Sequence, residues 1–461
     1  MEITPLPEGL QAKDAIATAS SETAGERMHG LVRQLFPLCR SITGEGLRGT
    51  IKEIQRHIPL TLHEVATGTA VLDWAVPMEW NVRAARIETL DGKVIVDFAD
   101  CNLHVVNYST PVDGIVSRDE LSAHVHTLPE QPDLVPYRTG YYAERWGFCL
   151  PHRVWEGMDD PHYRVVVDSS LAPGSLTYGE LLIPGRESDE VLISVHCCHP
   201  SLANDNLSGI AVATEIARHL LERDNRLTYR LLFIPATIGS LTWLARNETV
   251  IPCIAHGLVL SCVGDNGSFH YKKSRRGDAM IDRSVAHVLR SNNVGHEIMA
   301  FSPYGYDERQ YCSPGYDLPV GCFMRSPNGT FPEYHTSADN LQFVTPTALE
   351  ESLNILLQTI DVLERNVTYA RVDGRGEPQL GRRGLYRAIS GQKDQAAAQM
   401  ALVWVLNLAD GRHSLLDIAE RSGLTFGQVA TAAEAAVGAD LIRRAPQSGA
   451  GERASTVPGK S

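Results

Sequence analysis

No stretch of the 461-residue chain approaches the ~18–20 consecutive apolar residues that a membrane-crossing helix needs. Clustered Lys and Arg are missing too: 42 Lys+Arg stand against 55 Asp+Glu, a formal charge of −13. Phosphate neutralisation needs such clusters, so neither a nucleic-acid partner nor a membrane partner is expected. The start, MEITPLPEGLQAKDAIATAS, has no basic stretch followed by a long apolar core, so no secretory leader is expected. None of the nine cysteines sits in a zinc-knuckle spacing, although Cys197 and Cys198 are adjacent. Without a leader they read as reduced thiols, and the expected location is cytoplasmic. What is present is ordinary for a globular chain: 43 % hydrophobic and 21 % charged residues. At roughly 100–200 residues per domain, the length suggests two to four domains. The 17 histidines are the quantity to pursue, because imidazole both ligates metals and carries protons near neutral pH.

Residues 1–25 are polar and Ala/Ser-rich and read as loosely held. A helical pattern runs from about residue 28 to 57, broken at 41–46. From 60 to 133 β-formers and turn residues dominate: VLDWAVP, ARIETLDGKVIVDFA and HVVNYS read as short strands, with Asp91–Gly92 as a hairpin turn. Between 132 and 168 aromatics concentrate (Tyr137, Tyr141, Tyr142, Trp146, Phe148, Trp155, Tyr163), either lining a pocket or packing two domains together.

The centre changes character. VLISVH (191–196), YRLLFIP (229–235) and GLVLSCV (257–263) are short and almost wholly apolar, as strands buried on both faces are. Between the first two, a helix over about 207–223 carries Val212, Ile216 and Leu220 as one stripe, with Ala213 and Ala217 beside it. Strand–helix–strand alternation implies a largely parallel sheet, with its chemistry beyond the carboxyl ends of the strands. A helix over 345–366 closes this region. After the connector VDGRGEPQLGRRG (372–384), three helical segments and a wing resemble a winged helix-turn-helix, followed from about 447 by a disordered tail.

The segment ISVHCCHPSLANDNLSG is the sharpest chemical signal. His196 ends an apolar strand, and nine residues later Asp205 lies in the loop that opens a helix. A zinc site needs nitrogen or oxygen ligands held at about 2.0–2.2 Å by rigid elements, and a strand end and a helix start supply them. As a lone residue Asp205 would read as an N-cap, and His199, before Pro200, as a turn residue. The later FPEYHTSADN adds a second imidazole, His335, with Glu333 near enough in sequence to be base, ligand or orienter. Cys197 and Cys198 read as buried small hydrophobes.

HCCHPSLANDNLSG, then strand–PATIGS, then EYHTSADN, resembles the zinc aminopeptidases of the M28 type. The closer similarity is to bacterial aminopeptidase-like proteins with a β-rich insertion and a C-terminal winged helix. DWAVPMEWNV, LHVVNYSTPVDG, PYRTGYYAERWGFC, DERQYCSPGYDLPVG and EPQLGRRGLYR follow that pattern in order over about 28–445. The resemblance implies an α/β fold, a zinc-exopeptidase-like α/β/α sandwich. Its expected domains are a zinc aminopeptidase-like one over 1–59 and 134–371, a β-rich insertion over 60–133 and a winged helix over 385–446.

The resemblance also implies one or two zinc ions, with His196, Asp205 and His335 as ligands. The family's Asp after the third strand falls on Cys262, with Asp265 three residues on; either of these, or His199, is a further candidate ligand. Where the family reads P-E-T-I-G-S, this chain has Ala236, which can neither ligate a metal nor accept a proton. An introduced glutamate-to-alanine change and a natural member with altered chemistry both account for it, and the intactness of the other motifs favours the first.

The implied activity is zinc-dependent hydrolysis of an amide or peptide bond in a small or modified substrate. Glu333 and position 236 are its catalytic candidates. Asp307, Glu308, Arg309 and Tyr311, in DERQYC, are candidates to grip the substrate's charged end, or members of an internal salt-bridge network. A homo-oligomer is expected. Two rivals remain: a metal-free binding protein that kept the pocket, and a winged-helix DNA-binding regulator. Against the latter, the would-be recognition helix, TFGQVATAAEAAVGADL, has no Lys or Arg.

Overall fold

The computed structural model describes residues 22–385 and 392–446. Most of the loosely held segment 1–25, and all of the expected disordered tail 447–461, lie outside the described residues. An eight-stranded mixed sheet organises the chain. Across it the strands run Thr61–Ala66, Ser175–Ile183, Thr228–Ile234, Glu190–His196, Ile254–Leu260, Val320–Met324, Phe269–Lys272 and His296–Met299. The four central strands, Thr228–Ile234 to Val320–Met324, are mutually parallel.

Both faces of the central strands are covered, which explains their largely apolar sequence. Val191, Ile193 and Val195 face one core, shared with the helices Ala24–Leu35, Gly209–Leu221 and Pro346–Arg365. Leu192 faces the other, shared with the helix Ile238–Arg246 and with a second, smaller sheet. His196 and the residues Ala236 and Cys262 therefore emerge from adjacent parallel strands at the same edge, where open α/β sheets place their chemistry.

The smaller sheet is antiparallel, in the order Val94–Asp97, Glu79–Thr89, His162–Ala172, Val112–Ser117. It differs from the expected insertion at both ends. Thr61–Ala66 belongs to the main sheet, pairing with Ser175–Ile183. His162–Ala172, far outside 60–133, pairs on both its edges inside the small sheet. Its fully buried Tyr163 and Val165 give the physical reason, since they complete the core between the two sheets. HVVNYS is not a strand: a 3-10 turn, Asn102–His104, precedes it, and Tyr108 takes a left-handed φ of 72° that ends extended pairing.

The C-terminal unit contains the helices Gln392–Leu408, Leu415–Ser422 and Phe426–Gly438 with a three-stranded sheet. The middle strand of that sheet, Thr368–Arg371, precedes the connector, so the unit begins before residue 385. Its apolar residues, among them Val405, Leu416 and Val429, join the core beneath the main sheet.

Candidate metal centre

Asp205 is the centre of the constellation. It is fully buried in the loop between the strand Glu190–His196 and the helix Gly209–Leu221. It does not cap that helix; three imidazoles converge on it instead. His196 Nε2 lies 2.8 Å from Asp205 Oδ1, His335 Nε2 lies 3.1 Å from Oδ2, and His199 Nδ1 lies 3.6 Å from Oδ1. Burial opposes ionisation of Asp205, but the His199 charge and the hydrogen bonds from the rings outweigh it and hold the carboxyl well below its usual range. The donor atoms of His196, His199 and Asp205 all lie within 4.8 Å of one another. His199 Nδ1 is buried and has no hydrogen-bond partner.

A hydrogen-bonded scaffold fixes these groups. The Asp339 carboxylate accepts the backbone N–H of Asn204 (2.6 Å) and of Asp205 (3.0 Å), tying the His335 loop to the Asp205 loop. Burial pushes its carboxyl up to about 8, against the pull of those N–H donors. Asn206 Nδ2 donates to the Leu260 carbonyl (2.9 Å) and lies 3.3 Å from His196 Nδ1. Beneath the loop, the buried Arg40 guanidinium donates to the carbonyls of His199 (2.7 Å), Pro200 (2.5 Å) and Leu35 (2.6 Å). Tyr137 stands edge-on to both His199 and His335, each at 5.1 Å, while the Tyr306 ring stacks on His196 at 4.8 Å. The aromatic segment thus divides: Tyr137 and its hydrogen-bonded neighbour Tyr141 approach the centre, whereas Trp146 stacks on His124 and Trp155 lies under Arg118.

The other residues singled out from the sequence fare differently. Ala236 follows its strand directly, its carbonyl 3.7 Å from Cys198 Sγ, and leaves the position without a carboxylate. Cys262 is fully buried, its sulfur 3.4 Å from Tyr306 Oη. Asp265 is committed elsewhere: Oδ1 accepts Gly267 N–H and Ser326 Oγ, and Oδ2 accepts Asn204 Nδ2. The Glu333 carboxylate makes no hydrogen bond or ion pair among the described residues, while its backbone carbonyl accepts Thr336.

The substrate-gripping role expected of DERQYC needs correction. Asp307, Glu308 and Tyr311 are fully buried, with Ser240 Oγ donating to Asp307, Lys272 paired with Glu308, and Tyr311 Oη bonded to Ser194. These three are committed to buried internal contacts; Arg309 alone of the four retains exposure. Sequence reasoning missed Arg40 and Asp339 as parts of the centre, and marked Tyr137 only as one of the aromatics that line a pocket or pack two domains. Of the two missed, only Asp339 left a trace, as a carboxylate four residues after His335 in the same motif.

Comparison with known proteins places this geometry in context. A family model described as a domain of unknown function, DUF4910, matches residues 29–366, and a winged helix-turn-helix model matches 367–444. A Clostridium acetobutylicum protein, provisionally described as a polysaccharide biosynthesis protein with aminopeptidase-like domain, is 47 % identical over 424 residues. That match covers 92 % of this chain and 97 % of that protein. The crystal structure of a provisionally assigned peptidase from the same organism superposes with a TM-score of 0.87 at 45 % identity, covering 91 % of this chain and 96 % of that one. The zinc aminopeptidase BSAP of Bacillus subtilis has a TM-score of 0.53 at 12 % identity, covering 74 % of this chain and 94 % of its own, and so shares the fold alone. The fold is that of the M28-type aminopeptidases with a C-terminal winged helix.

Proposed function

The chain belongs to the DUF4910 family, and from that footing we propose that it is built as a metal-dependent hydrolase of an amide or peptide bond. The observation that carries this reading is the convergence of three imidazoles on one buried, ionised carboxylate at the ends of parallel strands. The donor set fits a zinc-like divalent ion, which prefers imidazole and carboxylate, and the buried Nδ1 of His199, which makes no hydrogen bond, fits a ligand role. The ligands of the ion would be drawn from His196, His199, Asp205 and His335. When bound, such an ion supplies Lewis acidity to the scissile carbonyl and to the attacking water.

The chain's own residues supply the rest. Asp205 stays ionised and presents its oxygens in fixed directions, because Asp339 and Asn206 hold the backbone on either side of it. Tyr306, stacked flat on His196, shields that ring from water. Glu333, with an unpaired carboxylate on the His335 loop, is the group we assign to carry a proton. Position 236 offers none. The Clostridium relative is described as a polysaccharide biosynthesis protein, and on that ground the proposed substrate is a small or modified amide.

Ala236 also favours a second reading, a peptidase-like protein that binds substrate without turnover. One experiment separates the two. Zinc-loaded parent and Ala236→Glu proteins are assayed on a panel of aminoacyl and peptidyl amides. The hydrolase reading expects the glutamate to raise turnover on the order of 10²–10⁴-fold, the usual contribution of a positioned base. Ligand binding without turnover in either protein would overturn it in favour of the binding reading.

A further inference from the structure

The centre is asymmetric about Asp205. On the Oδ1 side stand His196 at 2.8 Å and His199 at 3.6 Å, with the three donors within 4.8 Å of one another. On the Oδ2 side stands His335 alone, at 3.1 Å. The groups at the positions the family pattern points to for that second half are absent or occupied. Position 236 is an alanine, Cys262 is buried against Tyr306, and both oxygens of Asp265 are hydrogen-bonded. Catalytic zinc sites typically offer three protein ligands and an open position. Only the Oδ1 half reaches that count.

We infer that this chain binds a single metal ion, held by His196, His199 and Asp205, and that His335 acts as a positioning residue on the other carboxylate oxygen. The assignment rests on the reading above that the centre is metal-binding. His199 suits the ligand role in its surroundings as well as its position. Its backbone carbonyl is pinned by the Arg40 guanidinium, its ring is packed edge-on by Tyr137 and His196, and its buried Nδ1 makes no hydrogen bond, facing the Asp205 carboxylate at 3.6 Å. In the pattern carried by the family resemblance, His335 is a ligand, position 236 is a glutamate that ligates or acts as base, and position 262 is an aspartate ligand. Here the histidine three residues after the strand end takes over, and the second position keeps one imidazole and a shared carboxylate.

The test uses the full chain, stripped with chelator and titrated with zinc and with cobalt. Elemental analysis is expected to find one ion per chain at saturation. His199→Gln, which keeps the side-chain volume, is expected to weaken zinc binding by more than the roughly 10–100-fold typical of losing an outer partner. It should also abolish the metal-induced rise in melting temperature and change the visible spectrum of the cobalt form. His335→Gln is expected to weaken binding within that 10–100-fold range and to leave the stoichiometry at one. Melting of the stripped variants at the parental temperature shows that they fold. Two ions per chain, or unweakened binding in folded His199→Gln, overturns the single-ion assignment while leaving the hydrolase reading standing. Failure of the parent to bind any divalent ion overturns both.

Discussion

Asp307 illustrates how burial alone changes a residue's chemistry. One carboxylate oxygen accepts Ser240 Oγ at 2.9 Å, and the other is buried with no hydrogen-bond partner. Burial pushes its carboxyl up to about 7; the Ser240 hydrogen bond opposes this and the neighbouring Glu308 charge adds to it. An unfolded Asp titrates near 3.9, so the folded state binds the proton more tightly than the unfolded state. Its contribution is therefore fully present below about pH 4 and is lost as pH rises through about 7. Asp307→Asn, which keeps a neutral group at every pH, is expected to flatten this loss. Each pKa unit corresponds to about 1.4 kcal/mol, so the two proteins should diverge by up to a few kcal/mol between about pH 5 and pH 8. Thermal melts across that range measure it, and parallel curves would refute it. The sequence marked Asp307 as titratable; only the tertiary structure shows that it is fully buried.

At the scale of elements, the centre depends on how closely the helix Gly209–Leu221 approaches the loop before it. A Cβ at Gly209 would lie 2.4 Å from Asn206 Oδ1 and 2.7 Å from its Nδ2. That amide bridges the loop to the next strand through Leu260 and Cys262, so it has no room to yield. Gly209→Ala is expected to cost about 1–3 kcal/mol, as overpacking does. Through Asn206 it should also weaken metal binding on the order of 10-fold, the effect of disturbing an outer partner. Gly30→Ala, in a helix where a Cβ meets open space, should be neutral or stabilising by up to about 1 kcal/mol. Chemical denaturation and zinc titration of the two variants make the comparison; equal effects would refute the argument. The glycine was visible in NDNLSG, but its steric reason is the position of Asn206, a tertiary fact.

Over the whole molecule, the winged-helix unit is joined to the main sheet by a continuous core and by ion pairs. Arg283 bonds Asp417 at 2.6 Å and also pairs with Glu420, Arg365 bonds Glu434 at 2.8 Å, and Arg444 bonds Glu187 at 3.1 Å. Acidic residues of the helix Leu415–Ser422 thus face the main domain. Exposed pairs contribute only about 0–1 kcal/mol each, but reversing a charge against two carboxylates costs more. Arg283→Glu is expected to loosen the unit several-fold, seen as faster proteolysis in the connector 372–384, with metal stoichiometry unchanged. Unaltered cleavage would show that the apolar core alone holds it.

The amino-acid sequence by itself determined the parallel centre of the sheet, because strands covered on both faces are largely apolar. It also marked His196, Asp205 and His335, because polar residues at apolar strand ends and in motif loops stand out along the chain. The extent of the small sheet was decided only when His162–Ala172 found partners far away in sequence. The role of His199 was likewise a tertiary matter, since an imidazole beside a proline becomes a candidate ligand only where a carboxylate 3.6 Å away meets it. Strand burial leaves its mark on neighbouring residues, whereas convergence joins residues that the sequence holds apart.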